Sequence, residues 1–160
     1  MADLEPSAKR NWPFLPPEFG GKKKEGFKKK KDDFKEDKQV ILEIRLGGQT
    51  YPRAIFMHPP GSGEAASLTY DLPSGYSTFE AKVGLRDRPG MELPWAESPG
   101  TMYVYGDGKL LWDAKNLRTA EDRKTCRVSI QGCKVLKLET TCGAEPKGCH
   151  LVWVDPRLVR

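Results

Sequence analysis

From residue 39 onward the chain alternates apolar and polar positions in short runs. Val40, Leu42, Ile44 and Leu46 alternate with Ile41, Glu43 and Arg45, and Phe79, Ala81, Val83 and Leu85 alternate with Glu80, Lys82, Gly84 and Arg86. Successive side chains of a strand point to opposite faces, so each run predicts a strand with one packed face and one wet face. Residues 102–112 hold a Gly106-Asp107-Gly108 centre between β-formers, and Asp107-Gly108 supplies the positive φ angles of a tight hairpin turn. Further strands are predicted over 53–57, 67–71, 127–130, 135–141 and 150–154. Pro59-Pro60, Pro73 and Pro89-Gly90 punctuate them, leaving room for one short helical piece over 116–124. The sum is an all-β sandwich or barrel.

Composition adds limits. A chain of 160 residues with 38% hydrophobic residues is expected to form one domain around one core, without needing metal or disulfides to fold. It has no apolar run of the ~18 residues that a membrane-spanning helix needs, and residues 1–20 lack the charged and apolar regions of a signal peptide. The net charge is +5, yet residues 22–38 hold nine lysines against five carboxylates, which places four of those charges in one stretch. The rest is almost neutral, so an electrostatic footprint for nucleic acid over the whole surface is not expected. Residues 20–38 are low in complexity and read as a solvated, flexible loop or linker, with a polybasic contact to an acidic partner as the other reading.

Candidate catalytic chemistry is sparse. The only histidines are His58 and His150, and neither lies in a context typical of a nucleophilic triad. Gly61-Ser62-Gly63 lacks the Lys-Ser/Thr of a phosphate loop and reads as a turn. Cys126, Cys133, Cys142 and Cys149 are spaced C-x6-C-x8-C-x6-C, wider than the close pairs of a structural zinc site. Disulfides suit them better, with free buried thiols as the other reading. If 127–130 and 135–141 form a hairpin through Gln131-Gly132, Cys126 comes beside Cys142; Cys142 with Cys149 is the competing pair. Either bond would point to an oxidising compartment.

A set of phrases then appears in a family-like order. It runs Tyr51-Pro52-Arg53, His58-Pro59-Pro60, Tyr70-Asp71-Leu72 and Ala81-Lys82-Val83-Gly84-Leu85, then Gly106-Asp107-Gly108-Lys109, Leu111-Trp112 and Trp153-Val154-Asp155-Pro156. Over 39–158 the chain resembles the NPCBM family of carbohydrate-binding modules, and Ala2-Asp3-Leu4-Glu5-Pro6 with Trp12 resembles the leader of some bacterial versions. The resemblance implies a galactose-binding-like jelly-roll β-sandwich, with a leader (1–19) packed on it, the lysine-rich segment (20–38) inserted, and the module over 39–160. It implies a non-catalytic, extracellular or periplasmic module that binds carbohydrate and targets an attached glycoside hydrolase or other secreted protein to glycans. A structural calcium ion is a family-level expectation with no residues assigned. A protein-interaction or structural domain on the same fold, tethered through the lysine segment, is the competing reading.

Sugars are held by aromatic faces stacked on the pyranose, with carboxylates, Arg or His collecting the hydroxyls. Trp95, in the Pro-rich connection after the 79–85 strand and with Arg86 and Asp87 at its entrance, is the leading platform. Tyr76, in the Ser74-Gly75-Tyr76 turn, comes next. Trp112 and Trp153 lie on predicted strands, where an aromatic more often fills the core; Trp112 is retained as a candidate. His58 either donates to a sugar hydroxyl or caps a buried backbone group. Asp107 is a turn residue.

Overall fold

The computed structural model describes residues 44–87 and 95–160 throughout, and before them only three short strands. In chain order the strands are β1 (Ala8–Arg10), β2 (Lys23–Lys24), β3 (Gln39–Val40), β4 (Ile44–Leu46), β5 (Gln49–Tyr51), β6 (Ala54–Met57) and β7 (Ala65–Asp71). The second half supplies β8 (Thr78–Leu85), β9 (Trp95–Gly106), β10 (Lys109–Thr119), β11 (Lys124–Ser129), β12 (Val135–Cys142) and β13 (Leu151–Val159).

Antiparallel pairing builds two main sheets, one in the order β1-β7-β12-β9-β10 and the other β11-β8-β13-β6. Their inner faces meet in one core. Leu68 and Tyr70 of β7, Met102 and Val104 of β9, and Leu136 and Leu138 of β12 face Phe79, Val83 and Leu85 of β8, Ile55 and Met57 of β6, and Trp153 of β13. The alternation read from 79–85 is the alternation seen, with Phe79, Ala81, Val83 and Leu85 buried and Lys82 exposed. The jelly-roll β-sandwich expected from the sequence is thus the fold.

β13 shows why its sequence is continuously apolar. Leu151 and Trp153 point into the sandwich, whereas Val152 and Val154 join Ile44, Leu46 and Ala54 in a second core beneath the β4–β5 hairpin, on the outer face of the sheet. Gly84 lies under the same cover: a Cβ there would stand 3.0 Å from a Leu46 methyl. A strand covered on both faces has no wet side to mark with polar residues.

Asp107 turns the β9–β10 hairpin with φ +48°, followed by Gly108 at +79°. Its carboxylate also accepts the Lys134 and Val135 N–H groups at 3.0 and 2.9 Å, tying the turn to the start of β12.

Two expectations are corrected. The segment 116–124 is not a helix: β10 continues to Thr119 through bulges, with Asn116 at φ +60°, and only Ala120–Asp122 forms a 3-10 turn. Pairing of Leu117 with Gly100 and Thr119 with Trp95 keeps the strand extended. The hairpin between 127–130 and 135–141 is also absent. β11 pairs with β8 in one sheet while β12 lies between β7 and β9 in the other, so Gln131-Gly132 crosses between sheets. Ile130 N–H donates to Ser77 O on one side of the crossing and Lys134 O accepts from Leu72 N–H on the other, each at 2.8 Å.

Candidate functional site

With Leu85 of β8 taken as the upper end, the registers bring Met57 and Leu151 level with it in one sheet, and Gly100 level with Cys142 in the other. The connections after β6, β8, β10 and β12 therefore gather at the upper end. Those after β7, β9 and β11 gather at the lower end. His58, Arg86, Asp87 and Trp95 meet at the upper end although they are far apart in sequence; Tyr76 lies at the lower end.

At the upper end an aromatic and cationic cluster has formed. The His58 and His150 rings meet edge to face with centroids 4.9 Å apart, and His150 meets Phe56 likewise at 5.5 Å. The Arg86 guanidinium lies 5.2 Å above the Phe56 ring, and its backbone N–H donates to His150 O at 2.8 Å. His58 Nε2 stands 3.0 Å from Pro146 O; a carbonyl can only accept, so Nε2 carries the proton. His58 thus caps a backbone group of the 143–150 connection. Asp87 is also engaged: its carboxylate accepts Gly47 and Gly48 N–H at 3.1 and 2.6 Å, holding the tip of the β4–β5 hairpin.

Trp95 differs from these. It is 42% exposed, one of two large apolar side chains so open among the described residues. Its surroundings are fastened: Arg118 donates to Ala96 O and Glu97 O at 3.3 and 3.0 Å, and Glu97 N–H donates to Lys147 O at 3.0 Å. Gly148 packs directly on the Trp95 carbonyl. An exposed indole on a fixed backbone is what stacking on a sugar ring requires, because little conformational freedom remains to be lost on binding. Residues 88–94 lie outside the described residues.

The other aromatic candidates are placed differently. Tyr76 is half-buried against the core, with the Arg160 guanidinium 5.4 Å above its ring. Trp112 is half-buried on β10, its ring 6.3 Å from that of Trp153, as befits a residue that closes the core.

The cysteines do not follow the favoured pairing. All four are free thiols, and Cys126 and Cys142 belong to opposite sheets because the hairpin that would have joined them is absent. Cys142 and Cys149 are the pair in hydrogen-bond contact. Burial pushes the Cys126 thiol up to about 12 and drives Cys149 upward as well. A thiol reagent at pH 8 is therefore expected to modify half-buried Cys133 first and to reach Cys126 and Cys149 only after denaturant is added; peptide mass spectrometry of the labelled protein reads the order. Equal labelling of all four in the native state would contradict this packing. Among the described residues no three His, Cys, Asp or Glu side chains converge to hold a metal ion, and no helix is long and apolar enough to cross a membrane.

Residues 21–159 match the NPCBM/NEW2 domain. The chain belongs to that family. Among solved structures, this NPCBM/NEW2 domain is similar to the M60 catalytic domain with the CBM51-1 and CBM51-2 domains of ZmpB from Clostridium perfringens. That likeness has TM-score 0.64 and 20% identity, and covers 99% of this chain and 15% of that one. It is also similar to CBM51-2 in complex with GlcNAc and INT domains from the same protein (TM-score 0.63, 17% identity, 98% of this chain and 30% of that one). A third is the CBM51 of Clostridium perfringens GH95 in complex with methyl-galactose (TM-score 0.59, 20% identity, 99% and 97%). At these identities the likeness is one of fold, and the chain spans less than a third of the two ZmpB chains. No curated protein matches it.

Within this NPCBM/NEW2 domain the sequence reading missed Phe56, Arg118 and Lys147 at the upper end. It also missed Tyr103 and Tyr105, whose rings lie 6.0 Å apart, with Lys137 Nζ 4.3 Å from the centre of the Tyr105 ring. Alternation carried a signal for two of these groups. Ile55 and Met57 face inward, so Phe56 faces outward, and Met102 and Val104 do the same for Tyr103 and Tyr105. Arg118 and Lys147 carried none, because Arg118 donates to backbone carbonyls some twenty residues away and Lys147 acts only through its own carbonyl, which accepts the Glu97 N–H.

Proposed function

We propose that this domain is a non-catalytic carbohydrate-binding module whose sugar platform is Trp95 at the upper end of the sandwich. The observation that carries the reading is an exposed indole on a backbone pinned by Arg118, Lys147 and Gly148, in a chain of the NPCBM/NEW2 family. Arg86, held over Phe56 beside the His58–His150 pair at the same end of the sandwich, is the candidate for collecting hydroxyls; Asp87 and His58 serve chiefly to fix the loops. The GlcNAc and methyl-galactose in two of the similar structures support a neutral hexose or hexosamine as the class of ligand. The pairing of modules with a catalytic domain in the first of them supports a targeting role in a larger extracellular or periplasmic protein. Absence of chemistry is supported by the two histidines, which are packed on each other, with His58 bonded to the backbone.

The test is a glycan array on the isolated chain beside Trp95→Ala. Selective binding to a neutral glycan is expected, falling at least about tenfold in the variant, a change of ~1.4 kcal/mol. The urea midpoint is expected to fall by far less than for a core tryptophan, because Trp95 is 42% exposed and the backbone around it is held by Arg118 and Lys147. No binding by the wild type, or binding indifferent to Trp95, would discard the platform.

A further inference from the structure

A second recess lies away from Trp95, on the outer face of the β11-β8-β13-β6 sheet. Leu46, Gly47, Gln49 and Tyr51 of the β4–β5 hairpin form one wall, Lys82 the floor, and Arg123, Lys124 and Thr125 the other wall, around about 280 Å³. Among the described residues three cations and no carboxylate line it. None of the three is ion-paired among the described residues, in contrast with Arg127 and Arg157 further along the same face, both of which engage Glu80 at 3.1 and 2.9 Å.

The nearest carboxylates are turned to backbone. Asp122 accepts Arg118 N–H at 2.9 Å, Thr119 N–H at 2.7 Å and the Thr119 hydroxyl at 3.0 Å. Those bonds, the Arg118 one foremost, hold its carboxyl below the usual range, with a smaller contribution from Lys124. Asp87 is committed to Gly47 and Gly48. Like charges gathered around a recess raise the local potential for an anion. The recess also has saccharide-like complementarity. Its lining is mainly polar: Leu46 is buried, and Lys82 Nζ lies 5.5 Å over the Tyr51 ring and 3.3 Å from the Tyr51 hydroxyl, which donates in turn to Gln49 at 3.1 Å, so Gln49 and Thr125 are the groups offered to sugar hydroxyls. Lys82 and Thr125 continue into a neighbouring recess of about 230 Å³, where Arg127 and Arg157 are paired with Glu80, and Arg157 also with Asp155 at 3.8 Å. Adjoining sugar units have room there without a second anion.

We infer that the Lys82–Arg123–Lys124 recess is a second saccharide subsite, specific for an anionic substituent, sulfate or carboxylate, of a glycan chain. It rests on the carbohydrate-binding reading but not on Trp95. Charge-assisted contacts from Arg123 and the two lysines would hold the anion, and Gln49 and Thr125 would meet hydroxyls of the ring that carries it.

The experiment is calorimetric titration of the whole chain with a heparin-derived hexasaccharide, a hyaluronan hexasaccharide that carries carboxylates alone, and an uncharged N-acetylglucosamine hexasaccharide. The proteins compared are wild type, Lys82→Gln with Lys124→Gln, Arg123→Gln, Trp95→Ala, and a variant with Lys28, Lys29, Lys30 and Lys31 changed to Gln. Lys82 and Lys124 are exposed, so that double variant is expected to fold, which its urea midpoint checks. Expected is binding of at least one anionic hexasaccharide over the uncharged one, weakened tenfold or more in the double variant, weakened in Arg123→Gln, and retained in Trp95→Ala. Preference between the sulfated chain and hyaluronan distinguishes sulfate from carboxylate. Loss in the Lys28 to Lys31 variant with none in the double variant would overturn the subsite, as would equal binding of a single-stranded oligonucleotide. If Trp95→Ala abolishes neutral-glycan binding while anionic binding persists, both readings stand; if the array is blank but the double variant still loses anionic binding, only the Trp95 reading fails.

Discussion

Trp153→Ala is expected to cost about 3–5 kcal/mol, the range for removing a fully buried large aromatic, and so to leave little of the ordinary stability of a domain of this size. Trp153, near the start of β13, is completely enclosed between the Phe79 and Trp112 rings at 6.1 and 6.3 Å. Its indole N–H donates to Met57 Sδ at 3.3 Å, so one side chain joins β6, β8, β10 and β13 across both sheets. Urea unfolding followed by far-UV circular dichroism measures the loss. Leu110→Ala is the control: Leu110 is 47% exposed, and its midpoint should scarcely move. Similar shifts in both variants would mean that the sandwich is not centred on Trp153.

Gly148→Ala is expected to destabilise by about 2–4 kcal/mol, because strain and overlap act together. Gly148 has φ +79°, and an added Cβ would collide with the Trp95 carbonyl oxygen and press on Ala96 Cα. Those atoms are backbone and cannot swing aside. Gly63→Ala separates the two contributions, since Gly63 has φ +75° with no atom within 4 Å of the new Cβ. Its cost should be that of the left-handed conformation alone, ~1–2 kcal/mol. Equal midpoints for the two variants would remove the steric argument. Because the collision pushes the 143–150 connection away from the start of β9, Gly148→Ala should also weaken glycan binding by a folded fraction of the protein, whereas Gly63→Ala should not.

Much of the fold was legible because its information is local. Phe79, Ala81, Val83 and Leu85 could be assigned to a buried face by alternation, and Asp107-Gly108 to a hairpin by its need for positive φ. The candidate site was half legible. Trp95 stood out in a Pro-rich connection beside Arg86 and Asp87, and the choice for His58 between sugar donor and backbone cap fell to the cap, on Pro146. Asp87 looked like a hydroxyl acceptor, yet it closes a glycine turn forty residues earlier in the chain. No local pattern announces such a bond. The basic recess was hidden for the same reason, since Tyr51, Lys82 and Arg123 become neighbours only when the β4–β5 hairpin lies over β8.

Local pattern was enough for the buried face of 79–85, the turn at Asp107-Gly108 and the placing of most of the charge in one lysine-rich stretch, because alternation, turn geometry and charge are properties of neighbouring residues; the extension of β10 through 117–119 was not, because it depends on pairing with β9. The tertiary structure alone decided which sheet each strand joins. A glycine turn between two alternating strands serves a hairpin and a crossing between sheets equally well. The choice at Gln131-Gly132 was made by the burial of Ile130, by the β8 edge available to β11, and by the place for β12 between β7 and β9. The cysteine neighbours followed from that choice, and the same three-dimensional packing gathered His58, Arg86 and Trp95 at one end of the sandwich.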